Sequence, residues 1–255
     1  AKCENFSHSE RMQLFNLIGE LIQEIIPRYR RLAESGQIEL TTTPHYHPLS
    51  PLLINFSSAH DSIPDDTLPL NKVYPGGRSR VAFHLDSAMT SHALRFGAQP
   101  IGVWPAEGAV SLPLLEILAE SGCQWCASGE GVLANSLHKS YPDAPLSDRN
   151  HYLYHPYRIQ GETGSVICFF RDDKLSDMIG FEYAKWFGKD AAEHFIQSIE
   201  QISHTALPGE NPIVSVILDG ENAWETYPYN GFYFLDISIQ QTSHFFEPFE
   251  HLLIQ

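Results

Sequence analysis

The segment 212–218 constrains the fold of this chain more than any other part of the sequence. It reads PIVSVIL, a nearly continuous apolar run that is typical of a strand buried on both faces of a parallel sheet. Two acidic residues, Asp219 and Glu221, follow directly. A second short β-prone segment, 100–104, leads in the same way to Glu107. Because catalytic side chains of α/β folds lie where parallel strands end, both acidic positions are candidates for an active site.

The rest of the chain alternates between helical and strand patterns. The spacing of apolar residues predicts helices over 10–34, 78–96, 111–120, 175–187 and 191–202, and strands over 37–43, 100–104, 124–127, 152–158, 165–170 and 212–218. This alternation favours an α/β fold with a parallel, barrel-like sheet. A chain of 255 residues can form one such unit, so we expect a single catalytic domain over 1–255.

The acidic charge balance limits the class of partner. The chain has 31 acidic and 16 basic residues and a formal net charge of −15, which disfavours nucleic acid but would tolerate a neutral polysaccharide. No apolar run approaches the ~18–20 residues that a membrane span requires. The four cysteines are too few for a disulfide scaffold and no signal peptide is apparent, so we expect a cytoplasmic protein.

Two of the cysteines, Cys123 and Cys126, have the CxxC spacing of a redox or zinc pair. Thioredoxin-type pairs open a helix, whereas this pair follows a predicted helix and enters a strand. No second cysteine pair completes a zinc site. Buried thiols are therefore the preferred interpretation.

The two acidic positions are each accompanied by tryptophan, since Glu107 lies near Trp104 and Asp219 near Trp224. Retaining glycosidases need one carboxylate nucleophile and one carboxylic acid donor, and flat apolar rings give sugars a stacking surface. Asp219 emerges from an apolar strand and pays a desolvation cost unless it is paired or protonated, and a general acid must be protonated. Two structural alternatives stay open: Glu107 could favour the dipole of the helix over 111–120, and Asp219 could cap a helix.

Three further polar residues follow predicted strands. His45 and His47 would project to the same side if their backbone is extended, where they could bind a metal, contact a sugar or be ordinary loop histidines. Arg171 ends the predicted strand over 165–170. It could hold a catalytic carboxylate through two hydrogen bonds or belong to a surface charge cluster.

Five segments together resemble glycoside hydrolase family 57, a group of α-amylases and glucanotransferases with a (β/α)7 barrel. They are 38–48 (IELTTTPHYHP), 74–77 (YPGG), 104–111 (WPAEGAVS), 171–180 (RDDKLSDMIG) and 218–225 (LDGENAWE). They occur in order over most of the chain, so the resemblance does not rest on one short motif.

The resemblance implies that Glu107 is the nucleophile and Asp219 the general acid/base of a retaining mechanism on α-glucans. It implies substrate contacts from His47, Trp104, Arg171 and Trp224. His45 and Glu221, which lie in the same segments, are further candidates for substrate contact. It implies an oligosaccharide or polysaccharide substrate, and neither a cofactor nor a metal for the chemistry.

The sequence departs from the family pattern at two places. The family's first segment, an N-terminal strand ending in a His-Gln-Pro type motif, is absent. We therefore expect a barrel that is incomplete at its N-terminus, in a fragment of a longer protein. Gly129 also stands before Glu130 where the pattern leads us to expect an acid, which removes one possible substrate contact.

Two other functions stay open. A metal-dependent polysaccharide deacetylase would bind a divalent ion near His45 and His47. A non-catalytic protein would bind carbohydrate without turnover. The sequence does not separate hydrolysis from glucan transfer, because both use the same two carboxylates, and it leaves linkage, chain length and oligomeric state open.

Overall fold

Parallel strands form the centre of the structure, a computed structural model that describes residues 2–143, 148–206, 211–220 and 224–242. The strands are β1 (Gly102–Val103), β2 (Trp125–Gly129), β3 (Tyr157–Gln160) and β4 (Ser165–Arg171), in the sheet order β1-β2-β4-β3. The pairs β1–β2 and β2–β4 are parallel, and β3 is antiparallel to β4. The predicted α/β fold with a parallel-dominated sheet is therefore confirmed.

Two extended segments widen this sheet, and each is joined to it by a single β-bridge. Thr42 pairs in parallel with Val103 of β1, and Ser215 pairs in parallel with Arg171 at the end of β4. The predicted strands over 37–43 and 212–218 are thus present as single-bridge segments rather than continuous ladders. Among the described residues these two outer segments do not meet, so the barrel is not closed.

Helices alternate with the strands along most of the chain. They are α1 (His8–Gln23), α2 (Ile25–Glu34), α3 (Ser50–Ile54), α4 (Gly77–Phe96), α5 (Leu112–Glu120), α6 (Glu130–Ser140), α7 (Asp173–Asp177), α8 (Gly188–Thr205) and α9 (Phe232–Thr242). A π-helical turn, Met178–Glu182, continues α7 where sequence predicted one regular helix to residue 187.

Two further sequence predictions of regular elements are wrong in detail. The helix predicted over 10–34 breaks at Glu24, because Pro27 lacks an N–H and its ring would clash with the carbonyl of Gln23. The strand predicted over 152–158 begins only at Tyr157. The preceding residues form turns instead, and the Tyr157 hydroxyl donates a hydrogen bond back to the Tyr152 carbonyl, 2.6 Å away.

Side chains alternate between two apolar layers on the two faces of the sheet. Cys126, Cys168 and Phe170 belong to a large core that the helices cover. Trp125 and Phe169 belong to a smaller cluster on the opposite face, packed against Ile101, Trp104, Ile167, Ile213 and Ile217. Burial on both faces explains why these strands read as apolar runs in the sequence.

The N-terminal helix α1 presents apolar side chains to solvent. Ser7 begins it with a capping box, in which the Ser7 hydroxyl accepts from the Glu10 amide and the Glu10 carboxylate accepts from the Ser7 amide. Nothing along α1 is buried within the described chain, and Leu14, Phe15 and Ile22 are all more than half exposed. Within the same part of the chain, none of the helices has the length and apolar character that crossing a bilayer requires.

Gly102 allows β1 to pack closely against the Trp125 ring of β2. A Cβ atom at Gly102 would lie 2.3 Å from Cε2 of the Trp125 ring. That ring cannot easily move, because its Nε1 donates a 2.7 Å hydrogen bond to the Glu39 carboxylate. The contact therefore ties the segment before Thr42 to β2 across β1.

We predict that Gly102→Ala lowers the free energy of unfolding by about 1–3 kcal/mol, because the added methyl group overpacks this contact. The matched control is Gly131→Ala in α6, where an added Cβ meets no atom within 4 Å. The control should be neutral or slightly stabilising, since alanine is the better helix former. Urea denaturation of the three proteins measures the difference, and equal midpoints for both variants would contradict this packing account.

Candidate active site

The residues that follow the parallel strands lie at one edge of the sheet. Because the strands run in the same direction, their carboxyl ends meet at one edge. The residues there belong to the loops after Thr42, β1, β2, β4 and Ser215. Six of the sequence-predicted residues lie in these loops or at these strand ends: His45, His47, Trp104, Glu107, Arg171 and Asp219.

Glu107 occupies a constrained turn after β1. Its backbone is left-handed, with φ of 57°, and the next residue, Gly108, also has a positive φ of 65°. A non-glycine residue in this conformation costs about 1–2 kcal/mol. Such strain is concentrated at functional sites, where the surrounding structure fixes the backbone. Glu107 is also 72% exposed, so its carboxylate is open to a ligand.

Contacts from both sides fix this turn. The Trp104 amide donates to the Thr42 carbonyl at 2.8 Å, and the Trp104 ring lies so close to Gly108 that a Cβ there would be 3.1 Å from Cη2. The buried Ser128 hydroxyl at the end of β2 donates to the Gly108 carbonyl at 2.6 Å. Trp104 therefore supports the Glu107 turn in addition to packing in the smaller apolar cluster.

His47 contacts Glu107 directly. Its Nε2 lies 3.0 Å from Oε1 of Glu107, across 60 residues of sequence. Tyr46 and His47 both have left-handed backbones, with φ of 64° and 55°. The extended backbone on which a same-side pairing of His45 and His47 depended is therefore absent. His45 instead donates its amide to the His84 carbonyl and packs its ring edge-on against Tyr46.

Asp219 lies at the end of the segment that pairs with β4. Its side chain is exposed among the described residues. Asp219 therefore does not pay the desolvation cost that we expected from its position after an apolar strand. The Ser215 carbonyl accepts from the Asp172 amide at 2.8 Å, and the Ile217 amide donates to the Ser176 hydroxyl at 3.2 Å. These bonds place the backbone that leads to Asp219. Glu221, the other acid predicted here, lies outside the described residues.

Arg171 joins β4 to the same segment. Its Nε donates to the Ile217 carbonyl at 3.0 Å, while Nη1 and Nη2 donate to Asp173 and Asp177, each at 2.7 Å. The two carboxylates raise the pKa of Arg171 against the opposing effect of burial. These contacts position the segment that precedes Asp219. The carboxylates that the guanidinium binds belong to Asp173 and Asp177, and not to Glu107 or Asp219.

Trp224 packs in an aromatic cluster with Tyr227 and Phe234, with ring centroids 5.4 and 6.0 Å away. Gly231 lies against it, since a Cβ there would be 2.7 Å from the Trp224 ring. The cluster adjoins the large core. The structure thus brings Trp104 to the Glu107 turn and places Trp224 against the core.

A partly buried ion-pair network, which sequence reasoning missed, lies at the ends of β2 and β4, between the strands that lead to the two predicted catalytic positions. Arg149 donates through Nε and Nη2 to the two oxygens of Glu130, at 2.7 and 2.5 Å, and through Nη2 to Asp172 at 3.0 Å. The Tyr154 hydroxyl donates to the other oxygen of Asp172 at 2.7 Å. A partial signal exists in the sequence: Asp172 directly follows a buried strand, where an acid needs a partner.

The electrostatics of this network follow from burial and charge. Asp172 is fully buried. Burial and the hydrogen bond to Asp172 raise the pKa of the Tyr154 hydroxyl, which keeps it a donor. Burial alone would lower the pKa of Arg149, but its hydrogen bonds to Glu130 and Asp172 raise it.

Three cysteines lie together in the large core. Cys123, Cys126 and Cys168 are buried free thiols. Burial raises the pKa of Cys123 to about 12, and its Sγ donates to the Trp125 carbonyl. A hydrogen bond with Cys168, together with burial, raises the pKa of Cys126. Cys123 and Cys126 are therefore protonated thiols, and they fit the buried-thiol interpretation of the CxxC spacing. In the part of the chain that the structure describes, His, Cys, Asp and Glu side chains form no cluster suited to a metal ion.

Three solved structures of similar fold are much longer than this chain. A branching enzyme of the family-57 type from Pyrococcus horikoshii matches with a TM-score of 0.61 and 14% identity, over 91% of this chain and 47% of its own. The branching enzyme from Thermococcus kodakaraensis, in complex with glucose, gives 0.62 and 14%, over 91% and 48%. A 4-α-glucanotransferase from Thermococcus litoralis gives 0.56 and 18%, over 89% and 30%.

These comparisons establish the fold, and the chain spans less than half the length of each of these structures. No curated protein sequence matches the chain. The model of the glycosyl hydrolase family 57 matches residues 5–247, nearly the whole sequence. The chain therefore belongs to glycosyl hydrolase family 57.

Proposed function

We propose that this protein cleaves or transfers α-glucans by a retaining mechanism, with Glu107 as nucleophile and Asp219 as general acid/base. The observation that carries the proposal is the position of these acids at the carboxyl edge of one parallel sheet. Glu107 follows β1, and Asp219 follows the segment paired with β4. The left-handed, solvent-open turn at Glu107 supports the nucleophile assignment.

Strand spacing makes a common cleft feasible. Glu107 and Asp219 are separated by three steps of the sheet, from β1 through β2 and β4 to the Ser215 segment. At about 4.8 Å per step this is roughly 14 Å along the sheet. Retaining enzymes need the two carboxyl groups about 5–5.5 Å apart. A curved, barrel-like sheet shortens the direct distance, and side chains that point inward from both ends cover the remainder.

The reaction then uses the two acids in sequence. A carboxylate oxygen of Glu107 attacks the anomeric carbon while Asp219 protonates the departing glycosidic oxygen, which leaves a glycosyl-enzyme ester. Asp219 then removes a proton from water or from a sugar hydroxyl, and the attack of that oxygen on the anomeric carbon releases Glu107. His47, 3.0 Å from Glu107, orients the nucleophile before attack.

A neutral glucan as substrate agrees with the net charge of the chain and with the enzymes whose structures are similar. A net charge of −15 disfavours anionic polymers. The similar structures include a 4-α-glucanotransferase and branching enzymes, one of them in complex with glucose. Exposed Tyr46, beside His47, offers a ring on which a sugar could stack.

The three buried thiols support a reducing compartment such as the cytoplasm as the place of action.

We predict that Glu107→Gln and Asp219→Asn each lower kcat on maltoheptaose by about 10³-fold or more, because each removes a group that acts in the transition state. Glu182→Gln, at an exposed acid paired only with Lys185 among the described contacts, is the control and should retain activity. Product release is measured by chromatography. Azide should restore turnover to Glu107→Ala, because the small anion replaces the missing nucleophile.

Unchanged turnover in either variant would refute the assignment of that residue. Sugar binding by the wild-type protein without any turnover would favour a non-catalytic carbohydrate-binding protein. Release of acetate from an acetylated polysaccharide, dependent on a divalent ion, would favour the deacetylase.

We also predict that His47→Ala lowers kcat/KM by about tenfold, a loss of about 1.4 kcal/mol in transition-state stabilisation. The melting temperature should change little, because both side chains of this pair are more than half exposed and such pairs contribute little to stability. His138→Ala, at an exposed histidine on α6, is the matched control. Equal kinetics in the two variants would show that the contact with Glu107 does not orient the nucleophile.

A further inference from the structure

We infer that Arg149 is a positioning residue that sets the spacing of the two catalytic carboxylates, although it contacts neither of them. The inference rests on the proposed function of Glu107 and Asp219. It starts from the network of Glu130, Arg149, Tyr154 and Asp172, which occupies the ends of β2 and β4, between the strand that leads to Glu107 and the segment that leads to Asp219.

On the Asp219 side, the network reaches the backbone through Asp172. The Asp172 amide donates to the Ser215 carbonyl, and the Asp172 carboxylate accepts from the Leu175 amide and so caps α7. Within α7, the buried Ser176 hydroxyl accepts from the Ile217 amide. The segment before Asp219 thus makes two hydrogen bonds to Asp172 and α7, and Asp172 caps that helix.

On the Glu107 side, the network reaches the backbone through Glu130. Glu130 begins α6 directly after β2, and the end of β2 supports the Glu107 turn through the bond from Ser128 to the Gly108 carbonyl. Glu130 also accepts a 3.4 Å hydrogen bond from the amide of Asp173, the first residue of α7 after β4. Arg149 therefore holds the ends of β2 and β4 at a fixed separation. Glu107 follows the strand on one side of this pair, and Asp219 follows the segment on the other side.

The charge of Arg149 is essential to this arrangement. Oxygens of Glu130 and Asp172 both lie within 3.0 Å of one nitrogen, Nη2. Without the guanidinium, two carboxylates would face each other in a partly buried site, where like charges cannot both remain ionised at low cost. Other titratable groups around them are Tyr152, Tyr154, Asp148 and Asp173, and Asp173 is held by Arg171.

Loss of Arg149 should therefore introduce a pH dependence. At high pH both carboxylates of the variant are ionised and repel, which separates the ends of β2 and β4. At lower pH one of them takes up a proton, and the carboxyl group then donates a hydrogen bond to the remaining carboxylate. The ratio of variant to wild-type kcat should rise as the pH falls, which a general loss of packing would not produce.

The test compares Arg149→Met, Arg149→Lys and Arg78→Met by steady-state kinetics on maltoheptaose at several pH values. Arg78 is the matched control, because it also faces two carboxylates, Glu116 and Glu120, but does so between α4 and α5. We expect Arg149→Met to lose about 10²-fold in kcat, as a displacement of about 1 Å does, with KM little changed. Arg149→Lys should lose less, and Arg78→Met should match the wild type at every pH.

Chemical rescue keeps the inference falsifiable if a variant is poorly folded. Millimolar guanidinium ion should restore kcat to a folded Arg149→Ala protein and should not affect Arg78→Ala. If the wild type turns over but Arg149→Met equals Arg78→Met in kcat, or loses activity equally at all pH values without guanidinium rescue, the inference alone fails. If the wild type and the Arg78 variant release no sugar, the proposed function fails and the inference falls with it.

Discussion

The parallel pairing of β1, β2 and β4 is the constraint on which the rest of the structure depends. It orders chain segments that are distant in sequence and turns all their carboxyl ends to one edge. The single bridges at Thr42 and Ser215 add one segment on each side, and these two bring His47 and Asp219 to that edge. Because both faces of the strands are covered by apolar side chains, the sheet is a rigid base for polar residues in the loops.

The acids at this edge of the sheet have two different surroundings. Asp172 and Glu130 are both paired with Arg149, and through it they join the ends of β2 and β4. Glu107 has the opposite character, since it is exposed, has a left-handed backbone and contacts only a half-exposed histidine among its described hydrogen bonds. A buried ion pair is weak evidence for stability, so the proposed role of this network is a geometric one.

Sequence alone predicted the parallel α/β sheet, because the predicted strand over 212–218 is a nearly continuous apolar run and the predicted strands alternate with helical patterns. It also predicted that Glu107 and Asp219 follow strands. It did not predict the turn at Tyr46 and His47 or the Arg149 network. A left-handed backbone at a tyrosine or histidine has no local sequence signal, and Arg149 finds its partners through the fold, 19 and 23 residues away.

The distance between the carboxyl groups of Glu107 and Asp219 tests the central claim most directly. A crystal structure of the protein with a bound maltooligosaccharide would measure it. The account predicts about 5–5.5 Å between the two groups, on opposite sides of one glycosidic bond. A separation beyond about 10 Å with the sugar bound elsewhere would exceed the range of both known glycosidase geometries and would contradict the account.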